Sequence, residues 1–191
     1  AVVTTAGGVR FLRFKDGSLW RFDGAGRLIS QADRNGNVLT LIRDGQGRVT
    51  AITDPSGRQL TIFYTGTNLR IDRIQDPIGR QVLYSYDASG RLVTVTDAAG
   101  GITRYTYDSH GNRTSVVDFE GNTTIIEYDQ TWNKPTKITN ALGFSTTMQY
   151  DAKGNLASVT NPENETTTLA YSNLGRLASV TDPLGHITRF E

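Results

Sequence analysis

The sequence predicts an all-β fold made of tandem antiparallel hairpins. Three observations carry that reading: an aromatic–Asp motif that returns about every 21 residues, two Asp-x-x-Gly turn signatures in each period, and short alternating stretches between the turns. The 191 residues hold 20 Gly and 8 Tyr against a single Met. Such a composition favours strands and tight turns over helices.

The repeat is set by Phe22-Asp23, Arg43-Asp44, Tyr64-Thr65, Tyr86-Asp87, Tyr107-Asp108, Tyr128-Asp129, Tyr150-Asp151 and Tyr171-Ser172, spaced 21 or 22 residues apart. Each 22 reflects one extra residue in a local segment, at 64–71 and at 128–136. Residues 22–191 therefore read as eight repeats forming one continuous domain. Residues 1–21, with Asp16-Gly17 between VRFLRF and LWRF, read as a degenerate first hairpin or an end cap.

Two reversals fall in every repeat. The first is Asp-x-x-Gly at 23–26, 44–47, 87–90, 108–111 and 151–154, with Ser172 to Gly175 as a variant. The second lies about ten residues on, with proline at 54–57, 76–79 and 182–185 and without it at 97–100 and 118–121. Asp in first position caps the turn, proline presets φ, and glycine in fourth position takes the left-handed conformation that follows a type I turn.

Between turns the segments alternate with period two. Thr103, Tyr105 and Tyr107 share one face, and Ile102, Arg104 and Thr106 the other. The matching apolar column on the preceding strand is Ile52, Ile74, Val95, Val116, Ile138, Val159 and Val180. Thr53, Thr96, Thr139, Thr160 and Thr181 alternate with it and read as outward. The expectation is an antiparallel meander with one apolar and one polar face. About sixteen strands at about 4.8 Å each make a ribbon of roughly 75 Å, long enough that it must coil.

Bulk properties exclude several functions. A net charge of +1 gives no pull on nucleic acid or anionic lipid. With no cysteine there is neither a disulfide framework nor a thiolate metal site. The N-terminal segment AVVTTAGGVRFLRF lacks the features of a signal peptide, and no apolar run is long enough to span a membrane.

YDASGRLVTVTDAAGGITRYTYD, FDGAGRLISQADRNGN and YSNLGRLASVTDPLGHITRF resemble the RHS or YD repeat, whose pattern runs YDxxGRLxxxxDPxGxxTxY. The resemblance covers residues 22–191 and is weaker at 43–85 and 128–149. It implies a coiled antiparallel sheet that forms part of a hollow shell, as in bacterial Rhs and wall-associated toxins, the C component of Tc toxins, and teneurins. In the bacterial members the shell holds a C-terminal toxin. The implied role is thus structural: a secreted or cell-surface shell segment of a polymorphic toxin, with a toxin cargo, further repeats and a secretion system as partners. The family's self-cleaving element ends in a DPxGLxGG-like stretch, whereas Asp182-Pro183-Leu184-Gly185 runs on into His186-Ile187-Thr188.

No residue is assigned a catalytic, cofactor or metal role. The repeated Asp could suggest calcium, but each stands first in a hairpin turn, where capping already accounts for it. His110 and His186 lie at a turn tip and just after one, and no GxSxG or HExxH signature occurs. Arg27, Arg48, Arg91 and Arg176 read as partners of turn Asp or as solvated. Trp20 and Trp132 sit where the repeat is irregular and read as gap fillers. The alternative to a shell is an adhesion module using the tyrosine column, Tyr105 and Tyr128 included, to bind carbohydrate or protein.

Overall fold

The computed structural model describes residues 2–66 and 69–190. Part of the expected extra residue at 64–71 falls on Thr67 and Asn68, outside the described residues. The chain divides into two compact units, residues 1–85 with 95–100, and residues 86–94 with 101–191. Every strand among the described residues is antiparallel to its partner, and no helix occurs among them.

The first unit holds β1 (Val2–Ala6), β2 (Val9–Arg13), β3 (Leu19–Phe22), β4 (Leu28–Ala32), β5 (Val38–Arg43), β6 (Val49–Thr53), β7 (Gln59–Tyr64), β8 (Ile71–Gln75) and nearly all of β9 (Gln81–Tyr86). Each pairs with the next along the chain. β10 (Leu92–Thr96) contributes residues to both units. The second unit continues with β11 (Ile102–Tyr107), β12 (Arg113–Val117), β13 (Thr123–Tyr128), β14 (Pro135–Thr139), β15 (Ser145–Tyr150), β16 (Leu156–Thr160), β17 (Thr166–Tyr171), β18 (Leu177–Thr181) and β19 (Ile187–Arg189), again a meander. Residues 1–21 contribute regular paired strands, which is why the described strands number nineteen rather than sixteen.

The turns have the expected chemistry. At 118–121 the Gly121 N–H donates to the Asp118 carbonyl at 3.1 Å and the Asp118 N–H donates to the Asn122 carbonyl at 3.0 Å. Gly121 has φ 90°, which a side chain would strain. The same pair of bonds closes a further Asp-x-x-Gly turn at 33–36 and turns at 140–143 and 161–164, which do not fit Asp-x-x-Gly. Two of them begin with Asn, and Asn164 replaces the glycine at φ 64°. At 129–134 the closing bond runs one residue further, from Asp129 N–H to Lys134 C=O, which absorbs the extra residue of that repeat. A register shift accompanies the first turn of the repeats, as between Thr106 and Tyr107, the bulge that a left-handed fourth residue demands.

Pairing register confirms the predicted faces. Tyr105 stands opposite Val116, Ile126 opposite Ile138, Met148 opposite Val159 and Leu169 opposite Val180. On the other face Thr160 lies between Thr147 and Thr166, and its hydroxyl is 2.8 Å from that of Thr166. Thr147 and Thr160 are half-buried rather than fully outward, whereas Thr166 is exposed. In the first unit the polar face is also less polar than expected. Ile42 and Leu83 lie there, flanking Ala51 and Arg73, and Arg73 stacks on Phe63 at 3.9 Å.

Within each unit, contacts between the described strands run between chain neighbours, and no second layer of described residues covers either face. Among the described residues only Ala51, Ser30 and one turn glycine, Gly154, are buried, and no large side chain is fully enclosed. Cohesion therefore rests on the ladder, on cross-strand pairs contributing roughly 0.2–1 kcal/mol each, and on the turns.

Candidate functional site

The most heavily constructed feature of the molecule is the edge formed by the first turns of successive repeats. It begins with a clasp. Asp151 Oδ1 accepts from the backbone N–H of Lys153 and Asn155, both at 2.8 Å, and Oδ2 accepts from Asn155 Nδ2 at 2.9 Å. Arginine fills the fifth position elsewhere: Arg27, Arg48 and Arg91 donate from Nε to Asp23, Asp44 and Asp87 at 2.6–2.7 Å, as the sequence suggested. Arg58 and Arg80 do the same on second turns. Arg176 has only Ser172 to meet, through its backbone N–H.

These donors hold the aspartates below the ordinary carboxylate range. At Asp87 the leading cause is the Arg91 backbone N–H, followed by its side chain. At Asp151 it is the Asn155 side-chain amide, then the Asn155 backbone N–H. The carboxylates are consumed by their own turns, and no group of three or more potential metal ligands occurs among the described residues.

From the clasp the structure reaches back one repeat. Tyr107 donates its phenol to the Leu92 carbonyl at 2.8 Å, Tyr64 to Val49 at 2.7 Å, Tyr128 to Arg113 at 3.1 Å and Tyr150 to Pro135 at 2.8 Å. Each bond spans fifteen residues and ties the open end of the second hairpin. The side chain one residue before that carbonyl lies over the ring: Arg48 over Tyr64 at 4.8 Å, Arg91 over Tyr107 at 5.1 Å and Lys134 over Tyr150 at 5.4 Å. Carboxylate, cation and ring thus form one unit linking neighbouring repeats. Burial, and then the charge of Asp129, raise the Tyr150 phenol above its usual value.

Further contacts follow the same edge. Arg91 Nη1 donates to the Asp108 carbonyl at 2.8 Å, Asn112 Nδ2 to Asn133 Oδ1 at 3.2 Å, and Lys134 Nζ to the Gly154 carbonyl. Trp132 packs its ring on Gly154, where an added Cβ would stand 2.8 Å from it. It fills a gap, as expected of an aromatic in an irregular repeat, and remains 43% exposed. Trp20 packs edge-on against Phe14 at 5.1 Å. His110 is exposed, and His186 is exposed with Nδ1 2.8 Å from Asp182 Oδ2, a fifth-position clasp like the others.

The sequence spacing did not reveal the fifteen-residue tyrosine bond. It did single out Arg27, Arg48, Arg91 and Arg176 after the turn glycine, and the structure extends that position to Asn37, Arg58, Arg80, Asn112, Asn122, Asn155 and His186, which all carry a side-chain N–H there. A recess of about 310 Å³ between the turns at 54–57 and 76–79 is lined by Ile52, Leu60 and Pro77. Its carboxylates, Asp54 and Asp76, are already bound to Arg58 and Arg80. No helix among the described residues is long and apolar enough to cross a membrane.

The RHS repeat family matches residues 22–59, 73–102, 86–123, 128–166 and 150–187, well over half of the chain. No curated protein matches by sequence. Among solved structures, the Photorhabdus luminescens Tc holotoxin pore is similar at 15% identity and a TM-score of 0.60, over 91% of this chain and 13% of that one. The TcdB2-TccC3-TEV structure is 15% identical, with a TM-score of 0.49, over 96% of this chain and 14% of that one. At such identity the likeness is one of fold, and the chain spans a small fraction of those proteins.

Proposed function

Because the chain belongs to the RHS repeat family, we propose that it is a length of structural wall enclosing or presenting the toxin domain of a secreted bacterial polymorphic toxin. The observation that carries this reading is the uncovered tyrosine face: a single-layer sheet on which none of the described residues of its own unit packs. A sheet of this length with an apolar face requires a covering, and a cargo or further repeats of the same protein would supply one. In this reading the wall itself is not catalytic and works outside the producing cell.

The adhesion reading is disfavoured by the fate of the tyrosines. Tyr64, Tyr107, Tyr128 and Tyr150 have spent their phenols on backbone carbonyls, so those hydroxyls are not displayed for a sugar.

Protease digestion of the natural gene product, with its downstream domain, tests the wall. The downstream domain should survive while the repeats are intact and be degraded when they are removed. Equal digestion with and without the repeats would overturn the proposal. Glycan-array binding that is lost in a Tyr105→Ala/Tyr128→Ala variant of unchanged fold would favour adhesion instead.

A further inference from the structure

One joint of the first-turn edge is made differently from the others. At three joints a cation lies over the tyrosine ring while the phenol ties the upstream carbonyl: Arg48 over Tyr64, Arg91 over Tyr107 and Lys134 over Tyr150. Tyr128, with Asn112 in the place of the cation, keeps the phenol bond to the Arg113 carbonyl. Among the described residues Tyr171 has neither: its phenol donates to no carbonyl and no Lys or Arg covers its ring. The side chain in the cation's place is Asn155, whose amide is turned back onto Asp151 Oδ2 at 2.9 Å. Between the turns at 151–154 and 172–175 there is a recess of about 300 Å³, with Asp151, Lys153, Asn155, Tyr171, Ser172 and Asn173 in its walls.

The Arg91 joint shows which group such a recess accommodates. Asp87 Oδ2 accepts from Arg91 Nε at 2.7 Å, the Asp108 carbonyl accepts from its Nη1 at 2.8 Å, and the Tyr107 ring centre lies 5.1 Å from its guanidinium carbon. Three repeats further along, the same places are held by Asp151, the Ser172 carbonyl and Tyr171, with Asn155 where Arg91 would be. Each retains capacity. The Asp151 carboxylate accepts three N–H bonds, of about four that a carboxylate can take. The Asp108 carbonyl accepts from both Gly111 N–H and Arg91, whereas among the described residues the Ser172 carbonyl accepts only from Gly175 N–H, at 2.9 Å.

We propose that this recess binds a guanidinium group from outside the chain, stacked on Tyr171 and donating to Asp151 and the Ser172 carbonyl. A planar cation that donates along its edge and stacks by its face matches that set of groups. Lys153 is the one charge at the mouth that opposes it. Its Nζ stands 3.5 Å from the Asn173 carbonyl, longer than the 2.8 Å and 3.2 Å of the corresponding contacts made by Arg91 and Asn112, and the side chain is exposed, so it is free to move aside. The site is independent of what the wall encloses. An arginine side chain of another polypeptide and a free guanidinium compound offer the same chemistry.

Backbone amide shifts of the 191-residue chain, followed during titration with Nα-acetylargininamide, test this. The shifts should cluster at residues 151–155 and 171–173, and the uncharged citrulline analogue should bind about tenfold more weakly. Lys153→Ala should tighten binding about threefold by removing the opposing charge. Asn155→Arg, which rebuilds the Arg91 arrangement within the chain, should abolish binding and raise the melting temperature. Methylguanidinium that binds as tightly as a glycine-flanked arginine peptide would support the site and assign it to a free guanidinium compound; a peptide that binds clearly tighter would support it and assign it to a polypeptide arginine. Shifts that avoid the recess, equal binding of the citrulline analogue, or an Asn155→Arg chain that binds as before would overturn the proposal.

Discussion

Arg43 donates from Nη2 to the carbonyl of Leu28 at 2.9 Å, across the same fifteen-residue interval that Tyr107 spans to Leu92. Arg43 stands where its repeat lacks the tyrosine, and it also donates to Gly47 C=O at 2.8 Å. The tie between repeats is therefore defined by a donor at a fixed place rather than by a ring. Arg43→Leu should destabilise by about 1–3 kcal/mol, the cost of a half-buried carbonyl left without its partner. Arg43→Tyr should lose much less. Urea denaturation midpoints distinguish the two; equal losses would show that the donor is irrelevant.

Tyr107→Phe keeps the ring beneath Arg91 and removes only the hydroxyl. The expected cost is about 0.5–1.5 kcal/mol, with Tyr107→Ala losing clearly more. A phenylalanine variant as damaging as alanine would contradict the separate roles of ring and hydroxyl.

Gly121 and Gly154 separate backbone strain from crowding. Both have positive φ, but Gly121 has open space around it, whereas the Trp132 ring occupies the site beside Gly154. Gly121→Val should cost more than about 1 kcal/mol from φ alone. Gly154→Ala should exceed Gly121→Ala and shift Trp132 fluorescence. No difference between the two alanine variants in thermal melting would remove the Trp132 contact from the account.

Asp151→Ala should lower the melting temperature more than Asn155→Ala, because the carboxylate serves two backbone N–H groups as well as the amide. Asp151→Asn, which keeps an acceptor, should fall between them. The reverse order would mean that the fifth residue, not the first, holds the turn.

Acid should loosen the turns together. Asp33, Asp87 and Asp151 are held below the usual carboxylate range, at Asp33 first by the Asn37 side-chain amide and then by its backbone N–H. A depressed folded-state value adds stability above the unfolded value and loses it as pH falls through the folded one. The melting temperature should thus hold level down to about pH 5 and drop below about pH 4. A melting temperature that rises on acidification would refute the clasp.

Much of this was legible in local chemistry. Asp at the start of a turn and Gly at its end are demanded by geometry that four residues settle among themselves, so the turns at 44–47 and 118–121 could be read directly. Alternation placed Tyr105 and Val116 on one face because strand period is fixed. The turns at 140–143 and 161–164 were harder because Asn does the work of Asp and, at Asn164, of Gly. The tyrosine tie was not legible because its acceptor is a main-chain carbonyl, which any residue possesses: Leu92, Val49, Arg113 and Pro135 have nothing in common as side chains. Which residues flank one another on the threonine face, Ile42 beside Ala51 and Phe63 and Leu83 on either side of Arg73, is a matter of pairing register rather than of period.

The tie from Tyr64, Tyr107, Tyr128, Tyr150 or Arg43 reaches a single repeat upstream and stops there. Each joint is complete between two adjacent blocks, so a gene could gain or lose a 21-residue block and the flanking joints would re-form with their new neighbours. Length is then a freely adjustable trait of this polypeptide, open to duplication and recombination, while the identity of any one block matters little beyond its two seams.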